Sequence, residues 1–455
     1  MSYQNKENSI EKNRMGYEPI PGLMFKMSLP LMISMMVQAL YNVVDSIFVA
    51  MINEDALTAV SLVFPLQMVM ISFAVGIGVG TSALLSRYLG AGLHNKVTKV
   101  AHNGIIIEIM NAILFIIIGF FAEPFMRMQT NNETIIEYGS TYLKLICWMS
   151  IGVMLQVIFE RLLQATGKTK YILFAQGSGA IINIILDPIL IFGLGGFPKM
   201  GIAGAAVATI IGQISGGIIG FSLNKAKNHE VKLSFSQLRP DWNIMKDIYK
   251  IGIPSIVMQS VGSVMNFGLN QILVRFSTTA VATFGVYFKL QSFVFMPIFG
   301  LNNGIVPIIA FNYGARSKER LVEASKLGVK VAVIAMFIGT VVFWIFPNQL
   351  LSMFSASDEM YSIGVAALKI LSINFPFAAY SIMNGTVFQA LGKSTYSMYT
   401  SILRQIGIIL PVAYLLSLLG NVDYVWFSFV IAEICGVIMT TFFKRRINRK
   451  IIDQM

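Results

Sequence analysis

Long apolar segments alternate with short polar segments along almost the whole chain. A membrane-spanning helix needs about 20 consecutive, mostly apolar residues. Twelve such segments, called spans 1 to 12 below, follow one another at 28–50, 57–86, 100–121, 138–160, 170–192, 203–223, 249–274, 281–308, 325–347, 366–388, 396–418 and 424–443. The pattern predicts an all-α polytopic membrane protein with twelve transmembrane helices.

Composition supports this interpretation. Of the 455 residues, 55% are hydrophobic and only 12% are charged, whereas a soluble domain has about 25% charged residues. The net charge of +12 does not indicate nucleic-acid binding, because most Lys and Arg residues lie in the gaps between spans. Cys147 and Cys435 both lie inside spans and predict no disulfide. No Cys/His cluster has metal-ligand spacing, and no HExxH or Gly-x-Ser-x-Gly motif supports a membrane-embedded enzyme.

The distribution of basic residues predicts the orientation. The N-terminal tail, the gaps after even-numbered spans and the C-terminal tail hold 27 Lys and Arg, and the gaps after odd-numbered spans hold three. Short cytoplasmic loops carry such an excess, so we expect both termini in the cytoplasm and the protein in the plasma membrane. No apolar segment of a cleaved signal peptide precedes span 1, which should act as its own insertion signal.

The two halves of the chain repeat each other at a nearly constant shift. Residues 164–171 (QATGKTKY) reappear 225 positions later at 389–396 (QALGKSTY). Three shorter matches recur at a shift of 224: Leu29-Pro30 with Ile253-Pro254, Leu66-Gln67 with Leu290-Gln291, and Leu89-Gly90-Ala91 with Tyr313-Gly314-Ala315. The shift maps span 1 onto span 7 in the same orientation, which predicts two pseudo-symmetric six-helix bundles, a plan known among transporters.

The repeat also predicts the domain organisation. We expect a cytoplasmic N-terminal tail at 1–27, an N-terminal lobe (N lobe) at 28–223 and a C-terminal lobe (C lobe) at 249–443. The basic stretch 224–248 is the natural cytoplasmic linker between the lobes. Residues 444–455 form a basic cytoplasmic tail.

An acid inside span 1 is the first candidate for chemistry, because a charged side chain in the hydrocarbon region is costly and usually functional. This acid, Asp45, follows Gln38 and Asn42 at the spacing i, i+4, i+7. The spacing places all three on one helical stripe. We expect that stripe, with Tyr41 beside it, to face the interior of the N lobe.

A second acid, Asp187, lies in span 5 one turn after Asn183 and directly before Pro188. Proline has no N–H, so the carbonyl of Ile184 loses its helical donor. A free carbonyl beside a carboxylate is a plausible ligand for a small cation or a proton-bearing water. The alternative is that both acids are structural and only fix helix packing, but their matched depth favours a functional role.

Depth predicts that the two acids meet. Asp45 and Asp187 each lie five residues from the outer end of their span, roughly 7–8 Å deep, and Thr209 lies six residues inside span 6, roughly 9 Å deep. In the second half, Asp45 corresponds to Leu269 at a shift of 224, and Asp187 corresponds to Leu410 at a shift of 223, which also aligns Pro188 with Pro411. Any ion coupling therefore belongs to the N lobe.

Other polar residues within the spans could face a substrate cavity. Span 7 has an uncharged polar stripe, and Glu108 in span 3 and Lys289 in span 8 could line a cavity open to the cytoplasm or only pack and snorkel. Lys144, Lys369, Arg404 and Glu433 should reach interfaces or polar neighbours. The cavity candidates are Gln38, Tyr41, Asn42, Gln259, Asn266, Glu108 and Lys289.

These motifs, in this order, resemble the multidrug and toxic compound extrusion (MATE) transporters over nearly the whole chain. The resemblance implies an antiporter that exports amphipathic or cationic drugs in exchange for protons or Na⁺, works as a monomer in the lipid bilayer, and has no cofactor and no nucleic-acid partner. It also implies that Asp45, Asn183, Asp187 and Thr209 form the coupling-ion site, with Na⁺ bound by the two acids if Na⁺ is the ion. Other branches carry acids in spans 7 and 10, which are absent at 251–274 and 366–388.

A flippase for lipid-linked saccharides shares this superfamily architecture and is the alternative function. It would need a basic cavity for a pyrophosphate group. Inward-facing Lys289 and Arg404 would favour it.

Overall fold

The computed structural model describes residues 13–234, 238–354 and 357–455, and these residues form helices and short connections with no strand. Lys6 and Lys12 of the predicted N-terminal tail lie outside the described residues. The helices are α1 Arg14–Tyr17, α2 Ile20–Ala50, α3 Glu54–Gly90, α4 His94–Gly119, α5 Ala122–Arg127, α6 Glu133–Trp148, α7 Ile151–Ala165, α8 Lys170–Phe192, α9 Ile202–Lys227, α10 Trp242–Leu273, α11 Thr278–Ala315, α12 Lys318–Ile345, α13 Pro347–Ser352, α14 Asp358–Ser372, α15 Phe375–Ala390, α16 Ser394–Ile402, α17 Leu410–Ser417 and α18 Val422–Ile447.

Each predicted span coincides with a helix or with helices joined end to end. In the described residues, nine helices are long and apolar enough to cross a membrane, and the pairs α6–α7 and α14–α15, bent by 47° and 43°, raise the number to eleven. One of the nine is the stretch Ser394–Ser417, where a π-helical segment, Leu403–Ile409, joins α16 to α17. Helix α10 occupies span 7 but is not among these eleven, so the count of twelve stays a prediction, as does the location of the termini.

The repeat is visible in the positions where helices break and begin. Helix α6 ends at Trp148 and α14 at Ser372, and the helices that follow begin at Ile151 and Phe375, so both boundaries keep the shift of 224. The N-caps of α3 and α11 correspond in the same way. The Asn53 side chain accepts a hydrogen bond from the amide of Ala56, and Ser277 accepts one from Ala280, each satisfying an otherwise unpaired donor.

The two lobes are in close contact at the predicted cytoplasmic end, through glycines that follow the repeat. Gly76 of α3 lies against α10, where an added Cβ would be 2.4 Å from the Ile256 side chain. Gly300 of α11 lies against α2, where an added Cβ would be 2.6 Å from the backbone of Met32. The shift of 224 relates the two contacts, because it maps Gly76 onto Gly300 and Met32 onto Ile256. The interface is therefore pseudo-symmetric. Small residues at such positions let the helix backbones approach closely.

Candidate functional site

A cavity of about 120 Å³ with a mixed polar and apolar wall lies inside the N lobe, between α2, α3, α7, α8 and α9. We call it the N-lobe cavity. The apolar part of its wall includes Leu31, Ile71 and Val153, and one residue of the C lobe, Asn303, also reaches it. Its polar lining residues are Ser34, Gln38, Tyr41, Gln156, Glu160, Arg161, Gln164, Gln176, Asn183, Thr209, Gln213 and Asn303.

The predicted span 5 acid lies beside the outer part of this cavity. Helix α8 places Asn183 one turn before Asp187, and α9 brings Thr209 against them. The Asn183 side-chain amide donates to Asp187 Oδ1 at 3.3 Å and to Thr209 Oγ1 at 3.4 Å. Asp187 is fully buried and the other two are nearly so. The structure therefore brings together three of the four residues predicted for the coupling-ion site.

The fourth predicted residue, Asp45, lies on α2, which packs against the helix α8 that carries Asp187. Three enclosed oxygens lack a hydrogen-bond partner in the described structure: Asp45 Oδ1, Asp187 Oδ2 and Asn183 Oδ1. Buried acceptors without donors are costly. A proton or a hard cation such as Na⁺, which prefers oxygen ligands, fits such a group.

The polar stripe on α2 differs from the prediction at one position. Gln38 faces inward, and its side-chain oxygen accepts a hydrogen bond from Gln176 Nε2 at 3.2 Å. Asn42 is exposed instead. At 100° per residue, Asp45 lies about 20° to one side of Gln38 and Asn42 about 40° to the other. The buried face is centred on the side of Tyr41, which leaves Asn42 at its edge and outside the N-lobe cavity.

The remaining cavity candidates do not line the N-lobe cavity. Glu108 is fully buried in α4 and accepts a hydrogen bond from Asn111 at 3.2 Å. Lys289 is exposed on α11, with its Nζ 6.0 Å from the ring centre of Phe354. On α10, Gln259 is exposed and Asn266 is partly buried.

A polar group on α7 was missed by the sequence analysis. Span 4 was predicted to end at 160, and Arg161 was assigned to a cytoplasmic gap, but α7 continues to Ala165 and Arg161 is buried. Gln156 donates to Glu160 at 3.0 Å, and Arg161 donates to Gln164 at 2.7 Å. The spacing of Gln156, Glu160 and Gln164 at i, i+4, i+8 is the signal that could have found this face.

Two of these residues connect the lobes. Arg161 Nη1 also donates to Asn303 Oδ1 at 3.0 Å, and Gln164 Nε2 donates to the Asn303 carbonyl at 2.5 Å. Asn303 belongs to α11 of the C lobe. These bonds, which we call the inner tie, therefore join the wall of the N-lobe cavity to the other lobe.

Comparison with known proteins agrees with this architecture. The MatE family model matches residues 30–189 and 254–415, two segments that begin 224 residues apart. The multidrug export protein MepA of Staphylococcus haemolyticus is 27% identical over 435 residues, which cover 95% of each chain. The FAD transporter of Shewanella oneidensis is 26% identical over 411 residues, 89% of this chain and 90% of the relative. The probable multidrug resistance protein NorM of Thermotoga maritima is 26% identical over 414 residues, which cover 90% of this chain and 89% of the relative.

Solved structures share the fold. An outward-facing multidrug resistance transporter of the MATE family superposes with a TM-score of 0.89 at 24% identity, over 98% of both chains. A transporter of the MOP superfamily from Pyrococcus furiosus superposes with a TM-score of 0.88 at 24% identity, also over 98% of both chains. Because the family model matches both halves of a chain rich in membrane-spanning helices, this multi-pass membrane protein belongs to the MATE family of transporters.

Proposed function

We propose that the protein exports amphipathic and cationic drugs in exchange for protons or Na⁺, by alternating access of the N-lobe cavity to the two sides of the membrane. Members of the family are transporters and not enzymes, and two of the relatives above carry names for multidrug export or resistance. The observation that carries the proposal is the hydrogen-bonded group of Asn183, Asp187 and Thr209 beside the N-lobe cavity. Asp187 Oδ2, Asn183 Oδ1 and Asp45 Oδ1 on α2 are enclosed and unpartnered in the described structure, and we include Asp45 in the proposed ion site.

Helix α2 provides the physical connection between ion and drug. It carries Asp45 at the ion site and Gln38 and Tyr41 in the cavity wall, and at Met32 it packs against Gly300 of the C lobe. Pro30 lies inside this helix, and a proline weakens a helix at the preceding turn. Neutralising the acids with a proton or a cation removes their repulsion, so α2 can approach α8 and change both the cavity and the lobe contact.

The cavity wall fits amphipathic substrates. Glutamine side chains donate and accept hydrogen bonds, Glu160 and Arg161 are the ionisable residues of the wall, and residues such as Val75 and Met35 give apolar surface. A drug-sized ligand is typically held by apolar walls with a few polar groups in a pocket of about 300–1,000 Å³, so the cavity of about 120 Å³ must widen when a drug enters.

The flippase alternative is not favoured. Of the two basic residues that would support it, Lys289 is exposed near Phe354 and Arg404 is paired with Glu433, and neither lines the N-lobe cavity. Arg161 does line it, but it is next to Glu160 and its guanidinium donates to Gln164 and Asn303. The relatives in the comparison carry names for drug export, drug resistance or FAD transport.

Dye export from inverted vesicles, driven separately by a pH gradient and by a Na⁺ gradient, tests the proposal. Asp45→Asn and Asp187→Asn should each abolish export under the gradient that drives the wild type, with unchanged protein levels. Asp423→Asn, which removes an acid at the start of α18, is the matched control and should export normally. Export by both variants at the wild-type rate would refute the proposal. Unlabelled FAD as a competitor tests whether this dinucleotide shares the site.

A further inference from the structure

Because the two lobes repeat each other, residues that line the N-lobe cavity have counterparts in the C lobe. Helices α9 and α18 correspond at a shift of 220, since they begin at Ile202 and Val422. Their burial follows the same shift: Gly212 and Ala432 are both buried, and so are Gly216 and Gly436. Positions on α9 that face the cavity can therefore be matched with positions on α18.

Two cavity positions of the N lobe are charged in the C lobe. Gln213 on α9 corresponds to Glu433 on α18. On the neighbouring helix the shift falls from 225 at residues 164–171 to 223 at Pro188 and Pro411. Arg404 lies between these points and corresponds to Ala180 at a shift of 224, to Gly179 at 225 and to Ile181 at 223. Gln213, Ala180 and Gly179 all line the N-lobe cavity. The C lobe therefore carries an acid and a base at positions where the wall of the N-lobe cavity has uncharged residues.

These two residues form an ion pair in the C lobe, in which the Glu433 side chain is buried and the Arg404 side chain is 18% exposed. Arg404 Nη1 donates to Glu433 Oε1. Glu433 is only 6% exposed, and the Arg404 stem lies against Gly436, where an added Cβ would be 3.3 Å from Arg404 Cδ. Arg404 belongs to the π-helical segment, and such segments often occur at functional positions.

Packing alone does not account for this pair. Desolvating two charges costs free energy that their attraction often fails to recover, and apolar side chains of similar volume usually fill such a space at lower cost. Glu433 Oε2 is enclosed and lacks a hydrogen-bond partner in the described structure. A role other than filling space is therefore the better explanation.

We propose that Arg404 and Glu433 form a charged plug that closes the C-lobe counterpart of the N-lobe cavity, and so confine the binding of amphipathic cations to the N lobe. The pair is then a specificity-determining element, because it decides how many ligand sites the molecule offers. The inference rests on the proposed function, in which the N-lobe cavity is the drug site.

The double variant R404A/E433Q tests the plug, because it installs the N-lobe residues at both positions. Equilibrium binding of ethidium to the purified full-length protein should give one molecule per wild-type chain and two per chain of the double variant. Arg404→Lys keeps the opposite charges and is the matched control, for which we expect one.

Trp426 offers a second measurement. It is fully buried on α18, two turns before Glu433 on the same face. With the other tryptophans replaced by W148F, W242F and W344F, its fluorescence reports on the C-lobe interior. Quenching by acrylamide should increase at least threefold in the double variant and stay unchanged in R404K.

One bound ethidium and a protected Trp426 in a folded double variant would overturn the plug and leave the proposed function intact. A wild-type chain that binds no ethidium would refute the proposed function and the plug with it. If the double variant does not fold, Arg404→Ala alone takes its place, because it removes the larger side chain. Unchanged quenching of Trp426 in that variant would overturn the plug.

Discussion

Substituting Gly314 with alanine should force the two lobes apart at the predicted cytoplasmic end. Gly314 lies near the end of α11, where an added Cβ would be 1.9 Å from the carbonyl oxygen of Arg87 on α3. The repeat places Gly90 of α3 in the reciprocal contact, 2.0 Å from the carbonyl oxygen of Phe311. A carbon–oxygen contact needs about 3.3 Å, so the helices must separate by about 1.4 Å. Both atoms at the contact are backbone or attached directly to it, so no side-chain rotation relieves the overlap.

The size of the shift between touching and separated lobes follows from the cost of the steric overlap. Overpacking of this kind costs about 1–3 kcal/mol. Alanine stabilises a helix by about 1 kcal/mol relative to glycine. Because α11 is helical in both conformations, this term does not change the equilibrium between touching and separated lobes. The equilibrium should therefore shift about 5- to 150-fold away from the closed contact.

Double electron–electron resonance between spin labels on the two lobes measures this shift. Labels at Lys96→Cys on α4 and Lys326→Cys on α12 occupy exposed positions, in a background where Cys147 and Cys435 are replaced by alanine. The G314A variant should gain a longer-distance population. Gly285→Ala is the matched control, because it lies on the same helix with nothing within 4 Å of an added Cβ. Identical distance distributions for G314A, G285A and the parent would refute the reasoning.

Thr209→Val removes the hydroxyl that accepts from Asn183 and should raise the half-maximal ion concentration for export about two- to twelvefold, the equivalent of one hydrogen bond; an unchanged value would exclude the hydroxyl from the site. Arg161→Ala removes a charged donor of the inner tie and should favour parting of the lobes by about 1.5–3 kcal/mol, measured with the same spin labels. Arg127 lowers the pKa of the exposed Glu133 carboxyl, so any stability from this pair is present above the ordinary carboxyl pKa and is lost as pH falls through the lowered value. Glu133→Gln should lower the melting temperature slightly at pH 7, and its difference from the wild type should shrink as the pH falls through the lowered pKa.

Hydropathy predicted the helices well because each apolar segment had to satisfy its backbone internally. The bends at 149–150 and 373–374 were not predicted, because both halves of each bent span are apolar. The approach of Thr209 to Asn183 and Asp187 agrees with their predicted depths, since helices of known rise and direction fix the height of a residue. The exposure of Asn42 could not be predicted, because it depends on how far α2 is rotated about its axis. The pairing of Arg404 with Glu433 depends on contact between two helices, which spacing within one helix does not reveal.

The two halves of the protein share their mechanical contacts and differ in their chemistry. The contacts of Gly76 with α10 and of Gly300 with α2 are related by the repeat, so either lobe can pivot on the other in the same way. The acids Asp45 and Asp187 have leucine counterparts, and the cavity residue Gln213 has the charged counterpart Glu433. Under the proposed function, the symmetric interface permits a rocking motion, and the asymmetric interior provides a single site that controls it. If both lobes bound ions and drugs, two independent sites would bias one motion, and coupling would weaken whenever only one of them was filled.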